Sequence, residues 1–157
     1  MVSIFPSIPP TPAGMNAVPT GVVRGPDGFL YVSQLTGVPF PVGGANVFRV
    51  NPRTGGFTSY ASGFTNAMDL AFGRDGTLYV VEIDSNSLAN PGTDGGLWAV
   101  PPGGGTPQRI ELPAGTLTNP GGIAVDRRGD LIVSNRATSS RESDNGGGQV
   151  LEIELDD

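Results

Sequence analysis

Oxygen-bearing side chains recur at corresponding places in this sequence, close to the ends of short apolar runs. Four of them form a candidate set for a divalent cation: Asn66, Asp69, Glu82 and Asn119. Carboxylate and amide oxygens are the ligands of Ca²⁺, which takes about six to eight of them. A bound cation would lower the pKa of a coordinated water and supply a hydrolytic nucleophile. The alternative is that Asn and Asp at the ends of turns hydrogen-bond nearby backbone groups.

Several other chemistries lack the residues that they need. The sequence contains no Cys and no His, which removes the thiol nucleophile and the commonest general base. The net charge is −6, and the only adjacent basic pair is Arg127 and Arg128, so we expect no nucleic-acid partner. The N-terminus lacks a secretory signal, and no apolar run approaches the ~20 residues of a membrane span. We therefore expect no membrane partner, and the localisation stays unassigned.

One short motif occurs three times and indicates which elements position these side chains. It reads GPDGFLYVS at 25–33, GRDGTLYVV at 73–81 and DRRGDLIVS at 126–134. Its glycines, Gly28, Gly76 and Gly129, are separated by 48 and 53 residues. A glycine turn in front of an alternating apolar run predicts a tight β-hairpin. Repeats of this length with several short strands are typical of propeller blades.

Each repeat is predicted to contain up to four strands. The first strands are predicted at Gly21–Arg24, Asp69–Phe72 and Gly122–Val125. The second strands are predicted at Phe29–Ser33, Thr77–Val81 and Asp130–Ser134. The third strands are predicted at Val47–Val50, Leu97–Val100 and Val150–Ile153, and the fourth strands at Phe57–Tyr60 and Gln108–Leu112. Tyr31, Tyr79 and Trp98 are predicted to pack between blades because the periodicity places them there.

The predicted fold is all-β and propeller-like, with about three four-stranded blades in one domain. The blades span approximately 18–62, 63–115 and 116–157. The third unit ends before a fourth strand, and residues 2–5 are a candidate closing strand for it. Three blades are too few for a ring. Two explanations remain open: the chain is a fragment of a larger propeller, or it is half of a six-bladed ring that a second copy completes.

The long loops after the second strands are the predicted binding surface. They run over 34–46, 82–96 and 135–148, and in a blade they share a rim with the links between blades. Variable loops on a rigid scaffold are where binding usually resides. The residues predicted to face a ligand there are Gln34, Phe40, Asp84, Asn86 and Asn135.

The repeat pattern G-[IV]-A-x-D-x-x-G-x-[LI]-[YI]-V-x resembles that of the NHL and SMP-30/gluconolactonase-like six-bladed propellers. Three longer segments, at 18–50, 60–83 and 119–135, resemble the ScyD/ScyE family of bacterial propellers, and QLTGVPFPVGGANVFRV is the most specific part. Members of that family are longer and often carry an export signal. The SMP-30 likeness implies a divalent ion held by Glu, Asn and Asp, whereas the ScyD/ScyE likeness implies no catalytic residues.

Two functions follow as hypotheses. The first is a non-enzymatic, acidic propeller scaffold without a cofactor, which presents its loop face to a small molecule or a protein. The second is a hydrolase or lactonase of the SMP-30 type that depends on Ca²⁺ or another divalent ion. The absence of a nucleophile motif favours the first hypothesis.

Overall fold

The computed structural model describes residues 15–92, 94–137 and 147–155. These residues form eleven β-strands and no helix, so none of them belongs to a helix that could cross a lipid bilayer. The first sheet contains β1 (Pro19–Arg24), β2 (Leu30–Gln34), β3 (Ala45–Val50) and β4 (Phe57–Phe64). The second contains β5 (Ala67–Phe72), β6 (Leu78–Glu82), β7 (Gly96–Val100) and β8 (Gln108–Arg109). The third contains β9 (Gly122–Val125), β10 (Leu131–Asn135) and β11 (Gln149–Ile153).

Every sheet is an antiparallel meander in which neighbours in sequence are neighbours in space. The turn between the first two strands of each sheet contains the repeated glycine. Gly28, Gly76 and Gly129 have φ angles of 81°, 87° and 108°, in the region that favours glycine. This confirms the predicted hairpins, and it explains why the motif recurs once in each sheet.

The sheets follow one another as layers, and their innermost strands are adjacent. β1 lies against β5, and β5 lies against β9. One apolar core fills the space between the first and second sheets and includes Tyr31 and Phe64. A second core, which includes Val81 and Leu131, separates the second sheet from the third. Tyr31, Trp98 and Tyr79 pack on these two cores, as the periodicity predicted.

The outer strands differ most from the sequence prediction. β4 continues to Phe64, because that ring is fully buried and packs edge-on against Trp98. β8 is only Gln108–Arg109: the N–H of Ile110 still donates to the carbonyl of Leu97 at 2.8 Å, but the side chains of Ile110 and Leu112 pack on the second core, and the regular pairing with β7 ends there. The third sheet has three strands in the described part of the chain. The candidate closing strand at 2–5 lies outside the described residues.

Candidate functional site at the loop rim

The long loops and the links between sheets meet at one rim of the molecule, which we call the loop rim. Its described residues are the loops at 35–44, 83–92 and 94–95 and the links at 65–66 and 110–121. The hydroxyl of Ser87 donates a hydrogen bond to the carbonyl of Phe40 at 2.6 Å, which ties the second loop to the first. The backbone N–H of Gly95 donates to the carbonyl of Leu117 at 3.0 Å, which ties the second loop to the second link. The rim is therefore a connected surface.

Asn66 is fully buried and joins three segments of this rim. Its amide nitrogen donates to the carbonyl of Leu35 at 3.1 Å, and its amide oxygen accepts from the N–H of Leu88 at 3.0 Å. Its own carbonyl accepts from the N–H of Ile83 at 3.0 Å. Both ends of the predicted metal-ligating side chain are therefore occupied by backbone groups.

Glu82, at the end of β6, is a fully buried carboxylate. It accepts the backbone N–H of Thr65 at 2.6 Å and the hydroxyl of Ser85 at 2.9 Å. Burial raises the pKa of the Glu82 carboxyl above its ordinary value, and the surrounding donors offset only part of this effect. The buried indole N–H of Trp98 lies near this carboxylate but makes no hydrogen bond of acceptable geometry.

Gly96 provides the space for this polar group. A Cβ atom at Gly96 would lie 2.4 Å from the Oε2 of Glu82, 2.5 Å from the Oγ of Ser85 and 2.9 Å from the Nε1 of Trp98. A methyl group at Gly96 would therefore fit only if these three side chains moved. The three polar atoms therefore converge on the same face of the glycine backbone.

The other two predicted metal ligands lie on different elements. Asp69 is on β5 among the innermost strands, and its Oδ2 accepts the N–H of Ile123 in β9 at 3.1 Å. Asn119 is half-buried in the second link with a φ of 46°, and its carbonyl accepts the N–H of Ala137 at 3.0 Å. No hydrogen bond joins the side chains of the four predicted ligands, all of which are described. The metal site stays a prediction.

Three of the predicted ligand-facing residues, Gln34, Asp84 and Asn135, are buried. Asp84 accepts three backbone N–H groups from its own loop, including that of Gly92 at 2.7 Å. Asn135 accepts the N–H of Thr118 at 2.8 Å and donates to the carbonyl of Thr116 at 3.0 Å. The loops owe their shape to these side chains.

The last residue of the second strand has the same placement in each sheet. These residues are Gln34, Glu82 and Asn135, and their exposed fractions are 0%, 0% and 3%. Glu82 and Asn135 each bind the link that enters their own sheet. The sequence predicted Gln34 and Asn135 to face a ligand and Glu82 to face a cation, whereas all three are buried. The backbone groups that bind Glu82 and Asn135 are distant from them in sequence, so no residue pattern predicts these hydrogen bonds.

A polar cavity of about 460 Å³ opens beside this buried group. It is lined by Ser85, Asn86, Gly92, Asp94 and Arg109. Of these residues, Asn86 was predicted to face a ligand, and Asp94 belongs to the same predicted binding loop. Arg109 is exposed on the outermost strand, opposite Trp98 in the ladder, and its Cζ is 5.9 Å from the indole centroid. Only the pairing of β7 with β8 brings that cation to the loop rim.

The opposite rim carries an acidic cluster that the sequence analysis did not identify. Carboxylate oxygens of Asp126, Asp130 and Glu152 lie within 4.8 Å of one another. Arg128 forms ion pairs with all three side chains, at 3.3 Å to Asp126, at 3.1 Å to Asp130 and also to Glu152. An arginine therefore already supplies the positive charge that these carboxylates need.

Comparisons with known proteins identify the fold. No protein-family model matches the sequence, and no curated protein is significantly similar to it. Virginiamycin B lyase from Staphylococcus aureus is similar in structure, with a TM-score of 0.55 and 16% identity over 87% of this chain. A proposed gluconolactonase is similar with a TM-score of 0.57 and 21% identity over 86% of this chain. The fold is that of a partial β-propeller.

The likeness is to part of each solved protein. The match covers 41% of the lyase chain and 46% of the gluconolactonase-like chain. This chain thus spans less than half the length of those propellers. At these identities the comparison shows the fold alone, and that fold is the propeller-like fold that the repeats predicted.

Proposed function

We propose that this chain is a non-enzymatic β-propeller scaffold of the ScyD/ScyE type that binds a small polar molecule at its loop rim. The observation that carries the proposal is the cavity of about 460 Å³ beside Arg109, with walls that are held in place by buried polar side chains. Asp84 and Asn66 fix the second loop through backbone hydrogen bonds. A preformed cavity loses little conformational entropy when a ligand binds.

The cavity walls favour a polar ligand. Ser85 supplies a hydroxyl, Asn86 an amide, Asp94 a carboxylate and Arg109 a guanidinium group. A protein partner would instead cover the first loop, where Val38 and Val42 are 75% and 69% exposed. The cavity is therefore the more specific feature of the rim.

The contacts of the predicted metal ligands support the scaffold over a metal-dependent hydrolase or lactonase. Asn66 and Glu82 use their side-chain oxygens to accept backbone N–H groups, and Asp69 does the same across the innermost strands. A divalent ion bound to these oxygens would compete with hydrogen bonds that hold two sheets together. In the neighbouring cavity the Ser85 hydroxyl and the Asn86 amide nitrogen already donate, to Glu82 and to the carbonyl of Asn90, and the side-chain oxygen of each retains capacity to accept from a ligand.

A fragment screen by amide NMR tests the proposal. We expect small polar fragments to shift the amides at 85–92 and the side-chain resonance of Trp98, which is the only tryptophan in the chain. Arg109→Gln should weaken these fragments, whereas the exposed Arg53→Gln should not. Fragments that shift only other surfaces would contradict the proposed location. Lactone hydrolysis that requires Ca²⁺ and stops with EDTA would establish the enzyme hypothesis instead.

A further inference from the structure

A second cleft opens at the rim opposite the loop rim, between the first and second sheets. Its volume is about 650 Å³, within the range of about 300–1,000 Å³ that small-molecule sites occupy. We call it the turn-rim cleft, and it is defined by Asp27, Arg49, Tyr60, Phe72, Arg74 and Asp75. Asp27 and Asp75 belong to the two glycine hairpins, so the repeated turn places a carboxylate on each side.

The base of the turn-rim cleft is aromatic. The ring of Tyr31 is 3% exposed and packs edge-on against Tyr60 and Phe72, with both centroid distances at 4.8 Å. Tyr60 and Phe72 are half-buried and line the opening. Edge-to-face contacts of this kind fix ring orientation. The cleft therefore presents a firm apolar surface to whatever occupies it.

The polar groups on one side of the cleft are already oriented. Asp27 accepts hydrogen bonds from the hydroxyl of Tyr31 at 3.0 Å and from the N–H of Phe29 at 3.1 Å. The guanidinium group of Arg49 pairs with Asp27 at 2.7 Å and stacks on the ring of Phe29, with its Cζ 3.3 Å from the centroid. The side chain of Arg49 is therefore held at the edge of the cleft by two independent contacts.

The other side of the cleft is oriented in the same way. Asp75 accepts the N–H of Thr77 at 3.0 Å and its hydroxyl at 2.6 Å. The side chain of Arg74 donates to the carbonyl of Arg127. Each carboxylate and each guanidinium group retains hydrogen-bonding capacity beyond these contacts, since a carboxylate has about four acceptor sites and a guanidinium group has about five donors.

The balance of charge determines the chemical class of the ligand. Two carboxylates and two guanidinium groups surround the opening, so a charged ligand would meet a like charge wherever it met an opposite one. A neutral ring with several hydroxyl groups could both donate to the carboxylates and accept from the arginines. Its C–H face would lie on the aromatic base. We propose that the turn-rim cleft binds a neutral saccharide ring.

Three monosaccharides that share the same ring but carry no charge, a negative charge or a positive charge test this proposal. The full chain is titrated with glucose, glucuronate and glucosamine, and amide shifts are followed by NMR. We expect glucose to give saturable shifts at 26–31, 58–60 and 72–76, and to bind more tightly than either charged sugar. Absence of saturable shifts would overturn the proposal. Tighter binding of glucuronate or glucosamine would overturn the neutral class, and shifts confined to 85–92 would overturn the location.

Substitutions provide a second criterion. Arg74→Gln should weaken glucose binding by about tenfold, because it removes a charged hydrogen-bond donor. Arg53→Gln is the matched control, since Arg53 is exposed outside the cleft, and it should leave binding unchanged. Tyr60→Phe keeps the ring and should preserve most of the affinity, whereas Tyr60→Leu should lose it while circular dichroism stays that of the parent. Equal effects of Arg74→Gln and Arg53→Gln would also overturn the proposal.

Discussion

The carboxylate of Glu82 accepts the backbone N–H of Thr65 across 2.6 Å, and this bond fastens the second sheet to the link that leads into it. The acid is fully buried, and burial raises the pKa of its carboxyl. A buried charge is costly, but so is a buried N–H without an acceptor. The main effect of the bond is therefore to give the buried N–H of Thr65 an acceptor, rather than to stabilise the charge of Glu82.

We expect Glu82→Gln and Glu82→Ala to have different effects. The amide of Gln still accepts from Thr65 without burying a charge, so the free energy of unfolding at neutral pH should be unchanged or higher. Ala leaves the N–H unpaired and should cost about 1–3 kcal/mol. Urea unfolding measures both. If Gln is as destabilising as Ala, the negative charge itself is needed, which would support a bound cation.

The raised pKa of Glu82 predicts that the free energy of unfolding depends on pH. Because the folded-state pKa of Glu82 lies above 4.5, its contribution to stability is complete below about pH 4.5 and declines as the pH rises through the folded-state pKa. The parent should therefore lose stability over that range relative to Glu82→Gln. Superimposable curves of unfolding free energy against pH would contradict the raised pKa.

Gly96 should be intolerant of any side chain. Gly96→Ala places a methyl group within 2.4 Å of the Glu82 carboxylate, so we expect a marked fall in melting temperature. Gly56→Ala is the control, because a Cβ atom there would meet only the Oγ of Thr54 at 3.5 Å. Comparable melting temperatures for the two variants would contradict the close approach.

Tyr31 should ionise at unusually high pH. Burial, followed by the hydrogen bond to Asp27, raises the pKa of Tyr31 to about 12 from 10.0. Its contribution to stability is then complete below about pH 10 and is lost as the pH rises towards 12. Asp27→Asn removes the negative charge, so phenolate absorbance should appear at lower pH. Glu154→Gln is the control and should leave the titration unchanged, whereas an equal shift in both variants would contradict the assignment.

The outward faces of the first and third sheets predict an assembly. Val22 on β1 and Val150 on β11 are 63% and 75% exposed. Leu30 is only half-buried, whereas the leucines at the corresponding positions of the other two sheets, Leu78 and Leu131, are fully buried between sheets. We propose that a second copy covers both faces and completes a six-bladed ring, since exposed apolar faces of this kind promote association.

Light scattering should then give twice the chain mass of 16.1 kDa. Val22→Asp should convert the assembly to monomer, whereas Val42→Asp, in the first loop, should leave the mass unchanged. A parent protein that is monomeric at all concentrations would exclude the two-copy ring.

The hairpins could be predicted because their causes are local. A glycine with positive φ sits at each turn, and the adjacent residues alternate between apolar and polar. The short fourth strand of the second sheet could not be predicted in the same way. Ile110 and Leu112 are apolar residues that suit a strand, but their side chains pack on the core between the second and third sheets.

The candidate sites were less accessible to sequence reasoning. Glu82 and Asn135 are recognisable in the sequence as polar residues that follow the second strands, but their burial is not. Their partners, Thr65 and Thr118, are each 17 residues away in sequence. The turn-rim cleft draws on four separate segments, and none of its residues stands out in the sequence as a ligand.

By itself, the sequence determined the strand order, the blade-like repeat and the positions of the turns, because hydrogen bonding between consecutive strands depends on neighbouring residues. Only the tertiary structure decided which polar side chains lie inside and which face a cavity. Burial and pairing depend on sheets stacking against one another, and that stacking brings together residues whose separation along the chain carries no periodic signal.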